Sequence, residues 1–417
     1  MTTAEHIPTG PVPTKPPVQT VTGGVYSYQW ENEKVTMTVQ RIREDSRHTP
    51  SADIRIRATP EGHIHFTRIN LLSTQARNQV SKHCAGRCTR GRDWDALVEQ
   101  CCVMTLDHWR QGEPVVNLGE VTPSVEPTYR LRPFLLENEA TLIYGDGGIG
   151  KSYVAAYLAS QVDQGVSLGK YEPIPGRVLY LDYETNSEIA ARRFQAIAKG
   201  FGVGVKSNVM YRFCFQPLAA DISEIQKIVA EENIECVIVD SAGPACGGDP
   251  ESAASSINYF TALRSLRKTS VTIAHRSKNN AVGPFGSVYW VNYPRATYEL
   301  KKAQEAGENT MHVALLHRKV NEGQLQEPVA FRFTFHKGAV SVEEEPLAAV
   351  SDFVSELPVH EQMGLALSEH GPMTAKELAE ITNLNVGSVQ VYLSKNKTFQ
   401  RVGNNRWDNM ETRNMNI

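Results

Sequence analysis

The stretch TLIYGDGGIGKSYVAAYLA, residues 141–159, places a glycine-rich turn between a short apolar run and a helix-like run. Gly145, Gly150, Lys151 and Ser152 match the pattern G-x-x-x-x-G-K-[S/T], with a strand before it and a helix after it, as this pattern requires. The glycines let consecutive backbone N–H groups face a phosphate, and the helix N-terminus adds partial positive charge. The sequence therefore predicts a nucleotide phosphate site at this turn.

We expect the turn to bind ATP. Lys151 is predicted to reach the β- and γ-phosphates, and the Ser152 hydroxyl to ligate Mg²⁺. The run IECVIVDSAG ends a buried strand at Asp240, which is typical of a second acidic motif that holds Mg²⁺. The predicted nucleotide-binding residues are Gly145, Asp146, Gly147, Gly148, Ile149, Gly150, Lys151, Ser152 and Tyr153.

Two further strand ends carry polar side chains that suit hydrolysis. VLYLDYETNSE places Asp182 and Glu184 at the phosphate edge, where a carboxylate can orient and deprotonate the attacking water. We prefer Glu184 for this role, with Asp182 as a structural or magnesium-shell residue. His275 ends the strand in VTIAHRSK and is predicted to sense the γ-phosphate; a structural histidine is the alternative.

Alternating strand and helix patterns over residues 130–345 predict an α/β fold with a mainly parallel sheet, whose ligand lies at the carboxyl ends of the strands. Around this core we expect a small α+β N-terminal module and a C-terminal helical unit. The predicted divisions are a flexible proline-rich tail (1–23), the accessory module (24–120), the ATPase domain (121–345) and the C-terminal domain (355–410).

Composition limits the possible environments. The chain has 417 residues, 41% of them hydrophobic, and a formal net charge of −3. No apolar run reaches the roughly 18 residues of a membrane helix, so we expect no membrane segment and a cytoplasmic location. The odd count of seven cysteines favours reduced thiols. Any nucleic-acid binding must then come from local basic surface.

The accessory module has such a surface. Between Arg41 and Arg92 it carries eleven Lys or Arg against four acidic residues. This excess suits DNA phosphates, but a solvated arginine-rich sheet face or a contact to an acidic subunit surface would use it equally well.

The order of motifs resembles that of RecA-like ATPases of the plasmid RepA type, the hexameric replicative helicases, and of the phage and plasmid AAA-family ATPases in that group. The resemblance covers about residues 130–340. The segments that carry it are GDGGIGKS, VLYLDYET, VIVDSAGPACGGDPESA, TIAHRSK and PFGSVYWVNYPRATYEL.

This resemblance implies a homo-oligomeric ring, most simply a hexamer, with each nucleotide between two subunits. It implies that Arg295 reaches the neighbouring subunit's γ-phosphate and that Lys319 assists. It also places a DNA-binding loop in the ring channel, where single-stranded DNA would lie. Lys278, in HRSKNNAVGPFGS, is the candidate phosphate contact there.

The C-terminal unit resembles a winged helix-turn-helix. Thr374 is predicted to cap a first helix, Val386–Ser394 to form a second, and Gly403, Asn404 and Asn405 to turn a hairpin. Duplex DNA and a protein partner remain alternative ligands. The candidate phosphate contacts are Lys395, Lys397, Arg401 and Arg406.

The sequence thus predicts an ATP-dependent, ring-forming DNA helicase or translocase in replication of a phage or plasmid-like element. One alternative is a recombinase-like or loader ATPase that assembles on DNA without unwinding it. Another is a DNA-binding regulator in which the nucleotide acts only as an assembly switch.

Overall fold

The computed structural model describes residues 16–45, 47–112, 115–167, 171–202, 205–277 and 283–410. The chain divides into two compact units. The first comprises the chain up to Val125 together with Ala220–Ile234, and the second comprises Glu126–Ala219 and Glu235–Ile417. Ala220–Ile234 therefore groups with the N-terminal module, although its sequence position lies inside the predicted ATPase domain.

The first unit is a five-stranded antiparallel sheet followed by two helices. Its strands pair in chain order, each with the next. The elements are β1 (Val18–Thr22), β2 (Val25–Trp30), β3 (Val35–Glu44), β4 (Pro50–Ala58), β5 (Gly62–Asn70), α1 (Thr74–Arg87) and α2 (Trp94–Gln111). The predicted flexible tail, residues 1–23, is therefore too long. Directly after Pro17, the last proline of this segment, the β-branched run VQTVT forms β1 and pairs with β2. Residues 1–15 lie outside the described part.

Buried and more exposed side chains alternate along the strands, so the sheet has one buried face. Met37, Ile54 and Ile56 are fully buried and form one cluster with Leu97 and Cys101 of α2. Cys101 occupies the buried helix face that its spacing predicts. All seven cysteines are free thiols.

The second unit contains a nine-stranded sheet of order β10-β9-β11-β12-β8-β13-β14-β15-β16. It is preceded by a hairpin of β6 (Tyr129–Leu131) and β7 (Leu135–Leu136). The sheet strands are β8 (Ala140–Gly145), β9 (Arg177–Asp182), β10 (Met210–Phe213), β11 (Ile234–Asp240), β12 (Thr269–His275), β13 (Ala296–Ala303), β14 (Thr310–Val320), β15 (Val329–His336) and β16 (Ala339–Glu345).

Parallel pairing joins β10 to β9, β11 to β12 and β12 to β8, and β13 runs parallel to β8. Antiparallel pairing then continues from β13 to β16. The helices of this unit are α3 (Lys151–Gln164), α4 (Ser187–Phe201), α6 (Ala242–Ala245), α7 (Ala253–Ser265) and α8 (Tyr289–Asn292). Helix α5 (Leu218–Glu231) belongs almost entirely to Ala220–Ile234, which groups with the first unit. The mainly parallel α/β sheet agrees with the prediction, and its carboxyl edge collects the ends of β8, β9, β11 and β12.

The chain then passes through two short 3₁₀ turns, Leu347–Ala349 and Ser351–Glu356. Phe353 is buried in a cluster with Leu316 and Ala330, so this connection packs on the outer strands of the sheet. Glu356 pairs with Lys301 and with Arg318, the latter at 3.0 Å. The segment between β16 and the C-terminal elements is thus part of the domain surface.

The C-terminal elements are α9 (Val359–His370), β17 (Met373–Thr374), α10 (Ala375–Thr382), α11 (Val386–Lys395), β18 (Phe399–Gly403) and β19 (Arg406–Asn409). Thr374 and Glu377 form a reciprocal capping box at the start of α10. Gly403, Asn404 and Asn405 all have positive φ at the hairpin turn. These details confirm the predicted cap and turn, while the winged-helix identity stays a prediction. Among the described helices, none combines the length and apolarity needed to cross a bilayer.

Candidate active site

A cleft lies where the glycine turn meets the carboxyl ends of β9, β11 and β12. The strand order explains why these segments lie together. In the sheet β12 lies between β8 and β11, which leaves space for a ligand at the carboxyl ends of these strands. The cleft is lined by Gly148, Gly150, Lys151, Ser152, Tyr153, Glu184, Arg193, Asp240, Ser241, Ile273 and His275.

Two positions in the turn require glycine. Gly150 has φ +91°, and a Cβ there would lie 2.9 Å from the sulfur of Met311. A Cβ on Gly145 would lie 2.8 Å from the carbonyl oxygen of Leu300. The turn can therefore curl over the start of α3 only with glycine at these positions.

Lys151 lies at the first position of α3 and is 7% exposed. Its Nζ donates to the carbonyl oxygens of Gly145, at 3.0 Å, and Asp146, at 2.6 Å. Burial lowers the pKa of Lys151, and the nearby carboxylates of Asp240, Glu184 and Asp146 act in the opposite direction. A phosphate could replace these two carbonyl acceptors and would pair with the charge.

Ser152 and Asp240 form an oxygen-donor pair beside Lys151. Asp240 is 3% exposed and accepts hydrogen bonds from the Ser152 and Tyr180 hydroxyls. Burial raises the pKa of Asp240, and the nearby carboxylate of Glu184 raises it further. The two hydrogen bonds act in the opposite direction. A buried carboxylate next to a hydroxyl suits Mg²⁺, which prefers hard oxygen ligands, so the predicted metal residues fit the ion. When bound, Mg²⁺ would neutralise part of the phosphate charge.

Asp182 and Glu184 have different surroundings. Asp182 is fully buried, and its carboxylate accepts from the backbone N–H groups of Glu184 and Thr185, both at 2.9 Å, and from the Thr185 and Tyr211 hydroxyls. Its acceptor capacity is thus used to fix the turn after β9. Glu184 is exposed at the cleft and accepts from the Ser241 hydroxyl. The arrangement favours Glu184 as the carboxylate that can reach water.

His275 lies next to the glycine turn, because its position on β12 pairs with Gly145 on β8. Its side chain is exposed and lines the cleft, while its carbonyl oxygen accepts from the backbone N–H of Phe285 at 2.7 Å. The placement is compatible with contact to a bound nucleotide.

Arg295 and Lys319 do not lie at this cleft. The backbone N–H of Arg295 donates to Ala140 at 2.8 Å, which is the amino end of β8, whereas Gly145 is its carboxyl end. Its side chain pairs with Glu139 at 3.5 Å. Lys319 donates to three carbonyl oxygens at the end of α8, those of Val291, Asn292 and Pro294, at 2.9, 2.9 and 2.6 Å. Neither residue can act on the nucleotide held by its own glycine turn.

The candidate DNA contacts have unequal surroundings. Lys278 lies outside the described residues. Lys395 and Lys397 are exposed. Arg401 donates to the Asn405 side chain, and Arg406 donates to the Pro372 carbonyl oxygen at 2.6 Å and pairs with Glu377 at 3.0 Å. Arg406 is therefore held by the capping box of α10 rather than presented as an unpaired cation.

Arg193 is a cleft residue that the sequence reasoning missed. It comes from α4, lies 4.0 Å from the Asp240 carboxylate, donates to the Tyr180 hydroxyl at 3.3 Å and stacks over Tyr153, with 5.2 Å to the ring centroid. A signal was present, because Arg193 occupies the buried helical stripe that includes Ala190 and Phe194. A charge on that stripe needs a partner.

Lys302, near the end of β13, is a second missed cation. Its Nζ donates to the carbonyl oxygen of Gly148 in the glycine turn at 3.1 Å. The sequence gives no local signal for this contact, which depends on the pairing of β13 with β8.

Comparison with known proteins gives a family match and weak structural similarities. Residues 113–281 match the family model described as an AAA domain. The flagellar accessory protein FlaH of Methanocaldococcus jannaschii is 13% identical, with a TM-score of 0.35 over 50% of this chain and 90% of FlaH. A KaiC-like protein of Pyrococcus horikoshii is 13% identical, with a TM-score of 0.37 over 54% of this chain and 98% of its own. No curated protein matches the sequence.

The family match spans the glycine turn, the Asp240 strand and His275. The cleft brings these same residues together at one edge of a mainly parallel sheet. Residues 113–281 are therefore similar to an AAA domain, and the cleft is a candidate nucleotide site.

Proposed function

We propose that the chain is a ring-forming, ATP-dependent DNA translocase or helicase that acts in replication of a phage or plasmid-like element. The observation that supports the proposal best is the convergence of Lys151, Glu184, Asp240 and His275 on one cleft. These side chains supply a phosphate partner, a water-activating carboxylate, a magnesium ligand and a polar group beside the transferred phosphate.

In the proposed hydrolysis, Glu184 orients a water molecule and accepts its proton as the water oxygen bonds to the γ-phosphorus. The bond from the γ-phosphorus to the β,γ-bridging oxygen breaks, and ADP leaves with its electron pair. Lys151 stabilises the negative charge on the phosphoryl oxygens. Ser241 holds one oxygen of Glu184 and leaves the other to face water.

The position of Arg295 supports shared catalysis. It lies at the amino edge of the sheet, at the opposite end of β8 from the glycine turn, so any role in hydrolysis requires the nucleotide of another subunit. Its side chain is 38% exposed and paired only across 3.5 Å with Glu139, which a neighbouring phosphate could displace. Lys319 is half-buried against carbonyl oxygens and suits a supporting role for the Arg295 segment.

Movement on DNA is the part of the proposal that extends furthest beyond the fold. We propose that single-stranded DNA passes through a ring of subunits, most simply six, and that Lys278 contacts its phosphates. The C-terminal unit would contact duplex DNA as a winged helix, through Lys395 and Lys397 in particular because Arg406 is already paired.

Three assays on the purified chain test the proposal. ATP hydrolysis is measured with and without single-stranded DNA, strand displacement is measured on a forked duplex, and particles are imaged with a nonhydrolysable ATP analogue and single-stranded DNA. Stimulated hydrolysis, displacement and a ring with DNA in its channel are expected. Stimulation with no displacement and no directional movement would instead favour a loader, and no hydrolysis at all would favour a nucleotide-switched regulator.

A further inference from the structure

The five-stranded sheet of the first unit has one face that its own helices leave uncovered. The residues at the middle of this face are Thr36, Thr38, Arg55, Arg57, Phe66 and Arg68, and we call this set the outer face. Strand register fixes the grouping: Thr38 lies opposite Arg55, and Arg55 lies opposite Phe66. The alternate residues Met37, Ile54 and Ile56 point into the core instead.

An exposed aromatic ring stands at the centre of the outer face. Phe66 is 48% exposed, although β5 offers buried positions such as Ile64 and Ile69 in the same strand. The Arg55 guanidinium lies over its ring, 5.3 Å from the centroid. Arg55 therefore covers one side of the ring, while about half of the Phe66 side chain stays exposed and open to a ligand.

The outer face is also positively charged. Arg68 pairs with Asp53 at 3.0 Å, and Arg41 approaches the same carboxylate at 3.8 Å. In the ranges that the structure describes, no carboxylate pairs with Arg55 or Arg57, and both are exposed. They lie two residues apart on β4, so both side chains point outward about 7 Å from each other along the strand.

Aromatic rings among cations on an open sheet form the kind of surface that holds single-stranded nucleic acid. Every base has a π-face that can stack on an aromatic side chain, and arginines track the phosphates between stacked bases. Duplex DNA hides its bases and would leave Phe66 without a partner. A protein partner would need acidic groups at the spacing of Arg55 and Arg57 together with an apolar contact for the ring.

We propose that the outer face is a binding site for single-stranded DNA, with a base stacked on Phe66 and phosphates paired with Arg55 and Arg57. The choice of DNA rests on the proposed function, while the stacking geometry does not. The site would hold the strand in addition to the channel contact proposed for Lys278.

Photocrosslinking tests the site directly in the full chain. p-Benzoylphenylalanine replaces Phe66 in one preparation and Val103, which is 40% exposed on α2, in a control preparation. Each is irradiated without nucleotide in the presence of labelled single-stranded oligodeoxythymidine of about 16 nucleotides or more. Crosslinking at position 66 that unlabelled single strands abolish, and duplex does not, is expected. No crosslink at 66, or equal crosslinking at 103, would overturn the proposal, as would crosslinking to a second copy of the chain in place of DNA.

Affinity measurements separate stacking from charge. Phe66→Ala should weaken binding about tenfold with little change in salt dependence, and Phe66→Tyr should bind as the wild type does. The double variant Arg55→Gln/Arg57→Gln should reduce the slope of log affinity against log salt by about 1.4, because each phosphate contact on a single strand contributes about 0.7. Lys82→Gln/Arg90→Gln, exposed cations outside the outer face, is the matched control and should change neither value.

Basal ATP hydrolysis by the same preparations distinguishes this inference from the proposed function. Crosslinking by the preparation that carries p-benzoylphenylalanine at position 66, together with no ATP hydrolysis by wild-type protein, would contradict only the proposed function. Protein that hydrolyses ATP normally but shows no crosslink at position 66 would contradict only the outer-face site. Thermal unfolding of each variant confirms that the sheet is intact.

Discussion

The Glu184 carboxylate accepts a hydrogen bond from the Ser241 hydroxyl, and this contact joins the turn after β9 to the residue that follows β11. It holds Glu184 beside the cleft that Lys151 and Asp240 also line. The backbone adds a second link between the same strand ends, because the Tyr183 N–H donates to the Asp240 carbonyl oxygen at 2.7 Å. The proposed water-activating group and the proposed metal ligand are thereby held in one fixed arrangement.

Glu184→Gln should bind ATP but hydrolyse it about two to four powers of ten more slowly, as expected for loss of a positioned general base. Ser241→Ala should slow hydrolysis less, because the base remains but one oxygen loses its anchor. Single-turnover hydrolysis and nucleotide binding are measured for both. If Asp182→Asn gave the large loss in rate and Glu184→Gln were nearly neutral, Asp182 would be the base.

Asp240→Asn should stabilise the nucleotide-free protein at neutral pH and abolish its hydrolysis. Because burial raises the folded-state pKa of Asp240, the ionised carboxylate destabilises the fold at pH values above that pKa. The gain in stability of the variant over wild type should shrink as the pH falls through the raised pKa. Below the ordinary pKa of 3.8, Asp240 of the wild type is mostly protonated in both the folded and the unfolded state. Thermal unfolding across pH measures this.

Asp182→Asn is the contrasting variant for that experiment. Its carboxylate anchors two backbone N–H groups and two hydroxyls, so replacement should destabilise the fold by about 1–3 kcal/mol. Equal melting shifts for the two aspartate variants would contradict the division of roles between them.

Arg193→Gln should raise the Mg²⁺ concentration needed for half-maximal hydrolysis, more strongly at lower pH. The guanidinium opposes the rise in the pKa of Asp240, so its removal favours the protonated carboxyl, which is a poor metal ligand. Arg193→Lys should recover part of the effect. Arg192→Gln, which removes only an exposed pair with Glu188, should resemble wild type. Unchanged Mg²⁺ dependence in Arg193→Gln would leave Arg193 as a packing residue.

Arg295→Ala should bind ATP and lose hydrolysis, by up to the roughly 10³ to 10⁵ that an arginine finger contributes. A mixture with Lys151→Ala should regain partial activity, because an intact cleft in one subunit can meet an intact Arg295 from the other. Each variant alone is the control, under conditions that favour assembly. Confirmed subunit exchange without recovered activity would leave a self-contained site or another finger such as Lys319.

Truncation of the C-terminal unit should begin after Leu357, because Glu356 pairs with Lys301 and Arg318 of the sheet. The shortened chain should retain basal hydrolysis and bind duplex DNA more weakly, with a flatter salt dependence. In the full chain, Lys395→Ala should weaken duplex binding more than Lys376→Ala, an exposed cation on α10. Unchanged duplex affinity together with loss of a protein partner would identify a docking unit.

Sequence predicted the parts of this molecule that depend on local pattern. The glycine turn, the strand ending at Asp240 and the cap at Thr374 each combine a short motif with an element boundary, so their places were predictable. The contrast between Asp182 and Glu184 needed the structure, since only hydrogen bonds from neighbouring strands show that one carboxylate is committed to the fold.

Contacts between distant segments explain the remaining differences. Glu377 neutralises Arg406 across 29 positions of sequence, and Lys319 binds carbonyl oxygens more than 20 positions away. The assignment of Ala220–Ile234 to the N-terminal unit depends on tertiary packing in the same way. Local sequence spacing does not predict such pairs, because tertiary folding brings them together.

Helix α4 starts three residues after Glu184, carries Arg193 and ends against β16. At Gly200 the two segments approach so closely that a Cβ would lie 2.0 Å from the Val340 carbonyl oxygen. A helix is stiff along its axis, and the contact between Gly200 and Val340 leaves no space between α4 and β16. A tilt of α4 on nucleotide binding would therefore displace the β15–β16 hairpin as well. That hairpin leads directly into the 3₁₀ turns that carry the C-terminal unit. Helix α4 thus connects the candidate nucleotide cleft to the segment that precedes the C-terminal unit, and Gly200 is the residue that permits its close contact with β16.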